Sequence, residues 1–154
     1  FGGDENAISD AAKRGYEVYK KAGCAECHFD DALLTDMVFH NTGVGYDPAT
    51  KKFKDEGRGA KTGRPEEIGT FKTPTLRDVV DSGPYFHDGS VATLEEAVKY
   101  MLGGGTPNPT LDPKLKKYDA TEQEVQDLME FLKALDEPTD HIKPPKMMPS
   151  VPGG

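Results

Sequence analysis

The sequence predicts an all-α domain, on three observations. Apolar residues recur at helical spacing in three segments, around residues 10–22, 94–101 and 122–135. Each segment is preceded by Ser9, Thr93 or Thr121, hydroxyl residues suited to cap a helix N-terminus. Gly23 and the run Gly103-Gly104-Gly105 stand where the first two helices must stop.

In the first helix, Ala12, Tyr16, Tyr19 and Ala22 share one face. From Phe29 to Lys72 the periodicity fails. Gly43, Gly45, Pro48, Gly57, Gly59, Gly63, Pro65 and Gly69 punctuate a charged stretch anchored only by Val38, Phe39, Val44, Tyr46 and Phe53. A loop of this length in a compact domain is expected to wrap something, with a small hairpin around Asp47 to Lys54. Thr75-Leu76-Arg77-Asp78 reads as a capping box for a short helix through Val80, ended by Gly83 and Pro84. Two further boxes run from Thr93 to Glu96 and from Thr121 to Glu124. Leu94, Ala97, Val98 and Met101 then line one helix, and Val125, Leu128, Met129, Leu132 and Leu135 the other. Pro138, Pro144, Pro145, Pro149 and Pro152 make residues 137–154 an extended tail. The expectation is one domain, residues 1–154, with its core at about 7–136 and no internal repeat.

A chain of 154 residues has room for one hydrophobic core. No apolar run reaches the roughly 20 residues of a membrane-spanning helix. The formal net charge of −8 argues against nucleic acid and against an anionic membrane surface. It favours instead a redox protein partner with a basic docking patch. Phe1-Gly2-Gly3-Asp4-Glu5 has neither the basic region nor the apolar stretch of a secretory signal, the state expected once such a signal has been removed.

The only two cysteines fall in Cys24-Ala25-Glu26-Cys27-His28, which leaves none for a disulfide framework or a four-ligand zinc site. One reading of this motif is a thioredoxin-like redox pair, although that chemistry wants a strand before the motif and a helix opening at it. Here a helix ends just before it. The other reading is covalent haem attachment, which needs two thioether bonds and an adjacent imidazole for the iron. The spacing supplies both, so one haem c held by Cys24 and Cys27 with His28 as proximal ligand is expected. Periplasmic or otherwise extracytoplasmic residence follows from that attachment chemistry.

A helix directly before CxxCH and an amphipathic helix near the C-terminus resemble the class I cytochrome c fold, in which the two cross beside the haem. Gly15, Tyr16 and Tyr19 would then meet Leu128, Phe131 and Leu132, with Gly15 letting the backbones approach. Three blocks narrow the resemblance: Phe71-Lys72-Thr73-Pro74-Thr75-Leu76-Arg77-Asp78-Val79, Gly83-Pro84-Tyr85-Phe86-His87-Asp88-Gly89-Ser90, and Ala92-Thr93-Leu94-Glu95-Glu96-Ala97-Val98. With Phe39-His40-Asn41-Thr42-Gly43-Val44, they are similar to the C-terminal haem domain of bacterial di-haem cytochrome c peroxidases and methylamine-utilisation di-haem enzymes. The resemblance runs over about residues 7–136.

That resemblance implies a high-potential, electron-receiving haem with His and Met ligands, and it makes Met101, fourteen positions after His87, the distal candidate. From the residues alone, Met101 is also suited to fill a core gap on its helix. Arg77 and His87 are implied to face haem propionates, against a surface ion pair with Asp78 or Asp81 and a purely structural turn. His40, His87 and His141 are alternative second ligands for a bis-histidine site. Ser82 and Pro84 match carbonyl positions that help hold calcium between the peroxidase domains, a site that would be incomplete here. The sequence has one CxxCH and no tryptophan, whereas the family often places a tryptophan between two haems. The expected function is therefore a mono-haem electron carrier that is not an enzyme. The alternative is a peroxidase-type haem enzyme or a fragment of a di-haem peroxidase.

Overall fold

Ser9 accepts a hydrogen bond from the Ala12 amide at 3.1 Å and opens α1 (Asp10–Lys21). The computed structural model describes residues 6–29 and 33–136. The helix stops at Gly23, whose φ of +82° suits a residue without Cβ, and a tight turn over Cys24–Glu26 follows at once. Both other expected helices form behind complete capping boxes: α3 (Leu94–Leu102) behind Thr93 and Glu96, and α4 (Glu122–Lys133) behind Thr121 and Glu124.

The crossing of α1 on α4 organises the core. At Gly15 a Cβ would stand 1.9 Å from the Asp127 carbonyl oxygen, so only glycine allows this approach. Beside it the rings of Tyr16 and Tyr19 lie 5.3 and 5.1 Å from the ring of Phe131, and Arg14 grips the buried Asp127 carboxylate with bonds of 2.7 and 2.8 Å. Val18, Val79, Val98, Leu102, Val125, Leu128 and Leu132 complete the cluster. The expected partners of this crossing are the ones observed.

The all-α expectation needs correction. Between the haem motif and α3 the chain forms β1 (Phe39–His40), β2 (Tyr46–Asp47), β3 (Lys52–Phe53), a single turn α2 (Gly59–Thr62) and β4 (Phe71–Lys72). β1 pairs antiparallel with β4, and β2 with β3, the latter being the expected hairpin. Backbone amides and carbonyls taken from water need partners, and a wrapped loop finds them in short ladders when it has no helix to complete. Side chains finish the task. The buried Asn41 donates to Asn108 Oδ1 and Thr110 Oγ1, both at 2.9 Å, and accepts from the Gly43 amide at 2.8 Å. The wrap is thereby tied to the segment after α3.

Thr75 does not cap a helix. Its hydroxyl donates to the Leu33 carbonyl at 2.7 Å and accepts from the Arg77 amide at 3.1 Å. Asp78 is left-handed at φ +53°, and only a tight turn over Val79–Asp81 follows. The hydroxyl is thus diverted to the chain beside the haem motif. The expected proline-rich tail, with His141, Met147 and Met148, lies outside the described residues. Among the described residues, no helix is long and apolar enough to cross a membrane.

Candidate haem-attachment site

Cys24 and Cys27 stand on the turn that follows α1, both half-buried and both free thiols. Burial pushes each up to about 11. Thioredoxin-type chemistry needs the opposite, a thiolate favoured at neutral pH beside a helix N-terminus. The motif here follows a helix end, so neither the electrostatics nor the placement suits a redox pair.

His28 is oriented from both ends. Its Nδ1 lies 3.0 Å from the Leu34 carbonyl oxygen and donates to it, which puts the other proton-free lone pair on Nε2. Burial holds the imidazole below its ordinary value, working against the Leu34 bond that raises it. The Tyr19 hydroxyl donates to the His28 carbonyl, so α1 fixes the backbone of the residue as well as the turn before it. Two thiols, a neutral imidazole presenting Nε2, and exposed apolar side chains at Phe29, Leu33, Met37 and Val38 nearby in the chain are a donor set and surface that fit haem c.

The remaining expected site residues fall at different places. Met101 is half-buried in the last turn of α3; Leu94, Val98 and Leu102 join the core cluster, whereas Met101 is outside it among the described residues. His87 is exposed and stacks on Phe71, with ring centroids 3.5 Å apart and planes 10° apart. Arg77 is exposed beside the left-handed Asp78. Ser82 donates to the Val79 carbonyl at 2.9 Å. His40 has both ring nitrogens engaged, Nε2 with Asp36 at 2.7 Å and Nδ1 with Asp112 at 2.6 Å, so it is not free to ligate iron. Three participants were not legible in the sequence: the Leu34 carbonyl, the Tyr19 hydroxyl and the Asp36–His40–Asp112 group. A carbonyl belongs to every residue, and no spacing marks the one that will face a histidine.

Residues 12–136 match the family model described as cytochrome c. The chain belongs to the cytochrome c family. Among curated members, cytochrome-c peroxidase IdrP1 of Denitromonas iodatirespirans is 36% identical over 92% of this chain and 45% of its own length. The methylamine utilization protein MauG of Methylophilus methylotrophus is 38% identical over 94% of this chain and 42% of its own. MauG of Methylorubrum extorquens reaches 40% identity over 86% of this chain and 36% of its own. A solved MauG-like protein associated with microbial copper homeostasis superposes with a TM-score of 0.78 at 33% identity, over 84% of this chain and 48% of that one. This cytochrome c chain thus spans less than half the length of these relatives.

Membership makes it a haem protein and bears out the resemblance to the haem domains of MauG and the peroxidases. The relatives overturn one expectation. A pure electron carrier that is no enzyme does not sit with a set of relatives named as cytochrome-c peroxidases, including the cytochrome c551 peroxidase of Nitrosomonas europaea at 34% identity over 96% of this chain.

Proposed function

We propose that this chain is a haem c domain of a peroxidase-type enzyme of the MauG and cytochrome-c peroxidase group, serving it by taking up and passing on single electrons outside the cytoplasm. The observation that carries this reading is the His28 arrangement, a neutral imidazole aimed by the Leu34 carbonyl next to two free thiols. When bound, haem c supplies a centre that accepts and releases one electron.

Cys24 and Cys27 would hold the group through thioether bonds, and the turn over Cys24–Glu26 sets the spacing of their sulfurs. His28 would present Nε2 to the iron while keeping its proton on Nδ1 for Leu34. Met101 is proposed as the second axial ligand, supported by its place on a helix whose other apolar residues enter the core without it. His87 and Arg77 are proposed to face the propionates. With one CxxCH in the sequence, one haem is assigned to this chain.

Mass spectrometry and turnover test the reading together. The intact mass should be that of the polypeptide plus one haem, and the haem should take up one electron from a small reductant and pass it on to an oxidant; with His28 and Met101 filling both axial positions, peroxide turnover by this chain alone should be slow. The double variant Cys24→Ser, Cys27→Ser should carry no covalent haem and lose that electron exchange. A haem that exchanges no electrons would count against the electron-transfer role, and fast peroxide turnover by this chain alone would place the peroxide-reacting centre here instead. Haem that extracts into acidified solvent would count against attachment.

A further inference from the structure

Leu34 is a buried, β-carbon-bearing residue at φ +51°, and Met37, three residues on, is at φ +58°. Left-handed backbone at such residues is strained and persists only where the surroundings over-determine it. Here that conformation is what accompanies the Leu34 carbonyl turned toward His28.

Thr35 Oγ1 donates to the Thr73 carbonyl at 2.8 Å and accepts from the Met37 amide at 3.1 Å. The Asp36 amide donates to the Cys27 carbonyl at 2.8 Å, which anchors the segment to the haem motif itself. The Asp36 side chain, 3% exposed, accepts from the Val38 amide at 2.9 Å and from His40 Nε2 at 2.7 Å. On its far side His40 donates through Nδ1 to Asp112 at 2.6 Å. A carboxylate oxygen stands at each ring nitrogen, so the imidazole is held from both sides and ties Asp36 to Asp112. The Lys114 ammonium lies 3.9 Å from Asp36 and donates to the Glu26 carbonyl at 3.2 Å. Asp112 arrives from the segment after α3 and is held there by its backbone amide, which donates a hydrogen bond to the Asn41 carbonyl at 2.9 Å.

We infer that Asp36, His40 and Asp112 form a positioning clamp that holds the strained segment 34–37 so that the Leu34 carbonyl orients His28, and that the clamp thereby sets the redox equilibrium of the iron. The inference rests on the reading of this chain as a haem domain. None of the three residues touches the iron; they act through Leu34. A firm Nδ1–H bond makes the imidazole a stronger electron donor and favours ferric iron. Loosening the clamp weakens that bond and shifts the equilibrium toward ferrous iron.

The experiment compares the haem-loaded protein with three variants: His40→Gln, Asp112→Ala and Asp112→Asn. Each is measured by redox titration and by NMR of the His28 Nδ1 proton in D2O. Asp112→Ala, at a partly exposed site, should shift the ferrous/ferric equilibrium about tenfold toward ferrous, or ~59 mV for one electron. Exchange of the Nδ1 proton should be several-fold faster, because a looser Leu34 carbonyl leaves that proton less firmly bonded. His40→Gln should move both readouts the same way. Asp112→Asn keeps an oxygen opposite His40 Nδ1 and should restore both. If Asp112→Ala lowers the melting temperature while leaving potential and proton exchange as in the parent, the clamp is structural only and the inference fails. A parent protein without covalent haem would overturn the haem reading as well as the clamp.

Discussion

Met101 and Asp127 show how single side chains are assigned work by what surrounds them. A thioether is a weak σ-donor that favours ferrous iron. With Met101 as second ligand, the oxidised protein should be low-spin with a weak far-red sulfur-to-iron charge-transfer band. Met101→Ala should remove the band and lower the midpoint potential; an unchanged spectrum would assign the ligand elsewhere. Asp127 is buried at the helix crossing, and the Arg14 guanidinium bonded to it holds its carboxyl below the ordinary range. The unfolded chain therefore takes up this proton first on acidification. The contribution is fully present above the unfolded value of about 3.9 and is lost as pH falls through the folded one. Melting temperature against pH should drop on that acid limb, and Asp127→Asn should flatten it.

The helices depend on local chemistry at their ends and on one close approach in the middle. The capping box at Thr121 satisfies the Glu124 amide through the Thr121 hydroxyl, and the Glu124 carboxylate returns a bond to the Thr121 amide at 2.8 Å. Thr121→Ala should cost about 1 kcal/mol, read as a lower urea midpoint at unchanged slope. Gly15→Ala is the harsher change. Its Cβ has no room before the Asp127 carbonyl, so α1 and α4 must separate. The expected loss is about 1–3 kcal/mol, the usual range for overpacking. Since α1 also carries Tyr19, whose hydroxyl holds the His28 carbonyl, the same variant should broaden the haem absorption bands.

Charge belongs to the molecule as a whole. A formal charge of −8 would repel acidic carriers and steer a partner bearing a basic patch. In stopped-flow reduction by such a partner, the second-order rate should fall as salt rises, because the Debye length shrinks from about 10 Å at 0.1 M to about 3 Å at 1 M. A small neutral reductant should show no such dependence. A salt-independent rate with the protein partner would remove the electrostatic steering.

What the sequence determined by itself was local in character. The caps at Ser9, Thr93 and Thr121, the stop at Gly23, the 46–53 hairpin and the CxxCH spacing each depend on residues a few positions apart, so their signals are contiguous in the chain. Gly15 was legible only through the resemblance to the class I fold, in which the first and last helices cross. Only the tertiary structure decided the rest. Pairing of β1 with β4 joins segments some thirty residues apart, through backbone groups common to every residue. Thr75, which matches a capping box, turned its hydroxyl to Leu33 because the distant loop after the haem motif offered an acceptor. Leu34, Asp36, His40 and Asp112 meet around the haem motif from two separate stretches, and hydrogen bonds between a carbonyl, two carboxylates and an imidazole leave no periodicity in a sequence. Helix ends are set by neighbours in the chain, whereas the orientation of His28 is set by neighbours in space.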